Sequence, residues 1–269
     1  MIYAMKRTGL FLCSLLMLVG VAKAETFRIP VGEFSELVVN ENISVIYSSN
    51  PDSVGMVVFD TKNEYAHFIM TECNKGKLKI QVSADAVGIN LPTVYVYSSF
   101  LSRIENLKNG TVKASGIKPT AKFSAELQGN GTIEVEDLEA TTVDLKILSG
   151  KGSILASGKA TDVSIKNVGT GSINAEDLKC KTAKCSTTGT GSINCWATQS
   201  LSIGGLGSGK VYYKGSPTIT KGKLSNIKAL PLAEVTVIEE EESSEPAETA
   251  VEQEEDNTPT NDRTRIQDY

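Results

Sequence analysis

Two acidic pairs offer the first candidate chemistry. Glu136-Asp137-Leu138 and Glu176-Asp177-Leu178 are the same tripeptide, 40 residues apart. Paired carboxylates cleave glycosidic bonds as acid and base, and an inverting pair stands ~6.5–9.5 Å apart. If the chain stacks in coils of ~20 residues, the two tripeptides lie two coils apart, about 9.6 Å. Ser157 and Gly158 fill the coil between them, so solvated strand-end charges are the preferred reading and catalysis the lesser one. His67 is the only histidine. Any Ser–His or Cys–His relay would have to pass through it, and Glu64-Tyr65-Ala66-His67-Phe68 has no serine or cysteine motif beside it. A multi-His metal centre is excluded. Gly204-Gly205-Leu206-Gly207-Ser208-Gly209-Lys210 nearly spells a phosphate loop, but Val211 stands where Ser or Thr would hold magnesium. A calcium-binding nonapeptide would need Asp in place of Gly209. No catalytic residue, cofactor or metal is therefore expected.

The other chemically able residues read as structural. Cys73, Cys180, Cys185 and Cys195 contain no Cys-x-x-Cys and lack the close pairs of a zinc site. They are expected mostly buried and free, with the three possible disulfide pairings left open. Asn174 and Asn194 should face outward on successive coils, either as a short amide ladder or, with Tyr212 and Trp196, as a binding face. Tyr95, Tyr97 and Phe100 read as core or cap.

The elements that must position these residues are set by a repeat. Gly129-Asn130-Gly131-Thr132-Ile133, Gly150-Lys151-Gly152-Ser153-Ile154, Gly169-Thr170-Gly171-Ser172-Ile173, Gly189-Thr190-Gly191-Ser192-Ile193 and Gly207-Ser208-Gly209-Lys210-Val211 recur every 18 to 21 residues. A degenerate copy, Asn109-Gly110-Thr111-Val112, precedes them. Four positions after the first glycine stands Ile133, Ile154, Ile173, Ile193 or Val211, always β-branched. Six positions after it stands Val135, Ala156, Ala175, Cys195 or Tyr213. This is the period-2 alternation of a half-buried strand. A second alternating run precedes each glycine pair: Phe123/Ala125/Leu127, Val163/Ile165, Ala183/Cys185 and Leu201/Ile203. Leu145 and Ile147 are offset by one residue, which implies a bulge or an insertion.

Each unit therefore holds at least two short strands and a Gly-x-Gly corner. One unit cannot bury its apolar face alone, whereas stacked coils can. The expected fold is all-β: a short right-handed parallel β-helix of ~20-residue rungs, with Ile133, Ile154, Ile173, Ile193 and Val211 as a stacked core ladder. Residues 25–105 also read as strands, a β-rich N-terminal half that caps the stack, and residues 106–217 hold the Gly-x-Gly rungs. An antiparallel hairpin fold is the rival.

The ends of the chain differ from its middle. Lys6 and Arg7, the apolar run Leu10–Val21 and Ala22-Lys23-Ala24 read as a signal peptide (residues 1–24) cleaved after Ala24; an uncleaved anchor over 8–22 is the alternative. Residues 231–269 hold 13 acidic residues and 2 arginines, too polar to offset their ordering entropy, and are expected to be a disordered acidic tail. Residues 25–230 form the β-helix domain. They carry a net charge of about +3, with no stripe suited to nucleic acid. No later segment has the ~20 apolar residues of a membrane helix, so no transmembrane segment is expected in the mature chain.

The Gly-x-Gly-Ser-Ile-Asn strings, Ile43-Ser44-Val45, Gly76-Lys77-Leu78-Lys79-Ile80, Pro92-Thr93-Val94-Tyr95-Val96-Tyr97 and Val211-Tyr212-Tyr213-Lys214-Gly215 resemble the auto-transporter adhesin head GIN domain family over roughly residues 27–217. The resemblance implies an exported β-helix of Gram-negative envelopes. No segment reads as the membrane β-barrel of a true autotransporter, so none is expected. The function expected is a non-enzymatic, cell-envelope binding or adhesion-type module whose ligand is a protein or glycan. Its location would be the periplasm, the outer membrane or the cell surface. A periplasmic structural or signalling accessory that uses the tail as a contact is the alternative, and a polysaccharide-active enzyme is the third reading.

Overall fold

A computed structural model describes residues 24–232. Residues 1–23 and 233–269, with the signal-peptide and acidic-tail expectations placed on them, lie outside the described residues. The chain forms a β-solenoid of about six turns. Long strands wrap from one face to the other: Thr132–Ser149, Ser153–Gly169, Ser172–Gly189 and Ser192–Gly207. Each pairs in parallel with its neighbour in the stack. Parallel register places like on like: Ile133 beside Ile154, Ile154 beside Ile173, Ile173 beside Ile193 and Ile193 beside Val211. All five are buried, none more than 1% exposed. The opposite face contributes Leu145, Ile165, Cys185 and Ile203 in the same register. The two inner faces fill the space between the sheets with side chains.

Glycine is required at the corner because backbone stacks on backbone there. A β-carbon at Gly152 would meet the Gly131 carbonyl oxygen, and one at Gly171 the Gly152 carbonyl oxygen. Backbone bonds then join the corners, Ser172 N to Gly152 O (3.1 Å) and Ser192 N to Gly171 O (3.2 Å). The offset at Leu145 and Ile147 is a register shift: Leu127 pairs with Ile147 but Gln128 pairs with Ser149, which leaves Leu148 as the extra residue. The second corner of each coil lies near Asp137, Gly158 and Asp177. Asp137 has φ 51°, and its N–H donates to Ser157 Oγ (3.1 Å).

The coil starts earlier than the glycine repeats and runs past them. Glu36–Val39 and Val45–Ser48 form one coil. In space it lies between the coil of Lys77–Val82 and Val94–Tyr97 and the coil of Arg103–Asn106 and Thr111–Ser115. Spatial order therefore departs from chain order there. Only the outermost strands act as a cap. Glu25–Pro30 pairs antiparallel with Met56–Thr61, which pairs antiparallel with Val94–Tyr97. On the other face Ile69–Asn74 pairs antiparallel with Lys77–Val82. Reversed strands stop further parallel stacking at that edge. At the other end, Thr218–Lys221 and Lys228–Pro231 add a last parallel coil beyond the repeats.

Candidate functional site

With the lumen filled, binding chemistry is confined to the outer faces, where residues two apart share one side. On the strand Lys210–Lys214 the outward residues are Lys210, Tyr212 and Lys214, while Val211 is fully buried beneath them. Their register partners in the preceding coil are Ser192, Asn194 and Trp196; in the following coil Lys210 faces Lys228 and Tyr212 faces Leu230. Lys179 pairs with Trp196 from the other side. Trp196 thus sits between two ammonium groups, with Lys179 Nζ 5.1 Å and Lys214 Nζ 4.5 Å from the ring centroid. Contacts of that kind contribute about 0.5–1 kcal/mol at exposed sites. The result is a rigid patch of lysines around two half-buried aromatic rings.

Asn174 and Asn194 stand in register but do not hydrogen-bond each other. Asn174 Oδ1 accepts from the Glu176 N–H (3.1 Å), and Asn194 Nδ2 donates to Glu176 Oε2 (3.1 Å). Glu176 therefore joins this amide pair, away from Glu136. Glu136 is exposed beside the bulge opposite Ser157 and lines a shallow concavity with Glu134, Asn174 and Asp177. His67 is exposed at the end of the short helix Asn63–Ala66, its ring 4.0 Å from that of Phe68. Gly204 and Gly205 lie in the strand Ser192–Gly207, paired with Ser186 and Thr187, and Gly207 and Gly209 form the last Gly-x-Gly corner: a β-carbon at Gly207 would meet the Gly189 carbonyl, and one at Gly209 the Gly191 carbonyl. Among the described residues no group of three His, Cys, Asp or Glu is placed to hold a metal ion.

Two features differ from the sequence reading. Tyr95 and Phe100 are each 39% exposed, and Tyr95 lies on the outer face in register with Val58 and Ile46. The alternation Val94-Tyr95-Val96-Tyr97 buries the valines, so the tyrosines face outward and the core alternative gives way, while Tyr95 pairs with the capping strand Met56–Thr61. The second feature is a set of buried polar residues that hold the glycine corners. Asn106 Nδ2 donates to Gly110 O (2.7 Å), Asn167 Nδ2 to Gly171 O (2.8 Å), and Thr187 Oγ1 to Gly191 O (3.3 Å). Each spans four residues and holds a corner carbonyl; those of Gly110 and Gly171 also accept the next coil's N–H, from Thr132 (3.0 Å) and Ser192 (3.2 Å). The signal was present: the inward runs Val163/Ile165 and Ala183/Cys185 continue, two residues on, to Asn167 and Thr187.

Cys180, Cys185 and Cys195 are buried and free, and Cys73 is free and half-buried. Cys180 Sγ donates to the Trp196 carbonyl (3.2 Å), and burial pushes its pKa up to about 12. The Cys185 thiol is raised by its contact with Cys195 and by burial. Thiols of raised pKa stay protonated in the fold while an unfolded chain ionises near ~8.5. Their contribution to stability is therefore whole below about pH 8.5 and lost as pH climbs toward about 12. Cys180→Ala is expected to shift the midpoint of alkaline unfolding upward, relative to its own neutral-pH stability, as followed by circular dichroism. Among the described cysteines a thiol reagent should modify Cys73 first in the native chain, and Cys180, Cys185 and Cys195 only in denaturant.

No curated protein is similar enough to the chain to match. Solved structures match its fold. One is described as a putative adhesin from Bacteroides fragilis, with 21% identity, 78% of this chain and 94% of that chain covered, and a TM-score of 0.68. Another, described as a putative adhesin from Parabacteroides distasonis, has 21% identity, 79% and 98% coverage and a TM-score of 0.65. A third, described as a putative lipid binding protein from Parabacteroides distasonis, has 21% identity, 79% and 95% coverage and a TM-score of 0.60. The profile of the family described as "Putative auto-transporter adhesin, head GIN domain" matches residues 33–217, which span the glycine corners and the aliphatic column alike, and the chain belongs to that family.

Proposed function

We propose that the chain is an exported, non-enzymatic adhesion-type module of the cell envelope, which holds a protein or glycan on the outer faces of the solenoid. One observation carries this reading. Successive coils repeat in register over a filled core, so outward side chains form fixed columns on a stiff surface with little freedom left to lose on binding. The family description and the adhesin-like fold neighbours support it. Among the described residues no helix is long and apolar enough to cross a membrane, which is compatible with a displayed or periplasmic domain. The non-enzymatic reading rests on the site itself: Glu176 is engaged by Asn194, and Glu136 is exposed at the bulge opposite Ser157.

Three experiments test the proposal. Purified full chain should bind isolated envelopes of the producing cells saturably, and failure to do so would remove the adhesion reading. Protease treatment of intact cells should cleave a displayed chain; complete protection would move the module into the periplasm. Release of reducing ends from polysaccharide, lost on Glu136→Gln or Glu176→Gln, would overturn the non-enzymatic assignment.

A further inference from the structure

We propose that the outer patch around Lys210–Lys214 binds an acidic glycan, a sugar chain that carries carboxylate groups. The proposal deepens the adhesion reading and rests on it. It starts from an asymmetry of charge along the solenoid. Some basic residues of the first coils are neutralised by neighbours, Lys77 by Glu36 (3.1 Å), Arg103 by Glu105 (2.6 Å) and Glu126 (3.4 Å), Lys122 by Asp144 (3.2 Å), and Lys113 by Glu134, and acidic residues are interspersed among the rest. From residue 178 to residue 232 there are eight lysines and no Asp or Glu. None of these lysines makes an ion pair among the described residues.

The arrangement has an electrostatic cost. Lys210 and Lys228 are register partners on adjacent strands, about 4.8 Å apart along the stack. Like charges directly opposite one another destabilise a sheet. Lys179 and Lys214 crowd the two sides of Trp196. A ligand with spaced negative charges would relieve this repulsion, and opposite charge also speeds and orients the encounter.

The rest of the patch selects a sugar chain over other polyanions. Tyr212 and Trp196 give half-buried rings with apolar bodies and polar tips, suited to the C–H faces of sugars. Ser192 and the Oδ1 of Asn194, whose Nδ2 is held by Glu176 (3.1 Å), stand in register beside them and supply hydrogen-bonding groups for hydroxyls. An acidic peptide could not join by adding a strand, because Lys210–Lys214 is already paired on both sides, to Ser192–Gly207 and to Lys228–Pro231. Strand addition needs a free edge.

The test uses the full chain and fluorescein-labelled polygalacturonate oligomers, read by anisotropy, with neutral dextran and polyglutamate as comparators. Saturable binding to polygalacturonate is expected, weakened at least tenfold between low and high salt. Lys210→Gln combined with Lys228→Gln should lower affinity at least tenfold while the thermal midpoint holds or rises, since a repulsive pair is removed. Tyr212→Ala should lower it several-fold. Lack of binding, equal binding of dextran, or an unchanged affinity in the lysine variant would overturn the proposal. Equal binding of polyglutamate with no effect of Tyr212→Ala would also overturn it, and would point to an acidic protein partner. The adhesion reading fails separately. If the lysine variant still binds isolated envelopes as the unaltered chain does, only this patch is removed; if neither binds, the adhesion reading goes too.

Discussion

Ile173→Ala is expected to cost about 2–5 kcal/mol of unfolding free energy, read from urea titrations followed by circular dichroism. Ile173 is 1% exposed and lies in register between Ile154 and Ile193. Truncation removes buried methyl groups and leaves a gap in the aliphatic column. Strands bonded on both sides cannot close that gap without shifting the coils above and below. Ser172→Ala, one residue earlier and exposed, is expected to change stability by no more than about 0.5 kcal/mol. Equal effects at the two positions would mean that the inward column does not hold the stack together.

Gly171→Ala should be damaging for a different reason. It adds a methyl group where the rung below presents backbone, with the Gly152 carbonyl oxygen and Ile147 Cδ1 in the way. A flexible side chain could yield, but a carbonyl fixed by the Ser172 N–H bond (3.1 Å) cannot. Overpacking of this kind costs about 1–3 kcal/mol and occasionally more. At ~2–4 °C per kcal/mol for a domain of this size, the thermal midpoint should fall by several degrees. Thr170→Ala beside it, on an exposed corner, is expected to move the midpoint far less. A harmless Gly171→Ala would contradict the close approach of successive corners.

The architecture was legible because two physical demands repeat at one period. Gly-x-Gly recurs where only a hydrogen fits between stacked backbones. Ile, Ile, Ile, Ile and Val recur where each coil seats on the last. The displaced Leu145 and Ile147 even marked the coil with one extra residue, Leu148. What escaped the sequence reading lacked that repetition. The coil of Glu36–Val39 and Val45–Ser48 lies out of chain order, and no local pattern records a spatial exchange between coils. Asn167 and Thr187 sit inward where alternation leads one to expect carbon, and each spends its polar group on the corner carbonyl four residues on. Tyr95 and Tyr97 read as core or cap by composition, and only register assigns them to the outer side. The candidate patch was half visible. Tyr212, Trp196 and Asn194 stood out as an outward set, but the surrounding lysines gain meaning only when Lys179, Lys214 and Lys228 arrive beside them from other coils.

Register is the central claim, since the core column, the corners and the outward patch all follow from it. Cross-linking of paired cysteines tests it most directly, in a chain whose half-buried Cys73 is replaced by Ser. Thr132 and Ser153 are register partners with their hydroxyl oxygens 3.3 Å apart. The pair Thr132→Cys and Ser153→Cys should oxidise readily to a disulfide, within the ~4.4–6.8 Å Cα range such a bond accepts. The pair Thr132→Cys and Leu155→Cys, shifted by two residues along the same face, should stay reduced under the same conditions. A disulfide in the shifted pair with none in the aligned pair would contradict the stacking.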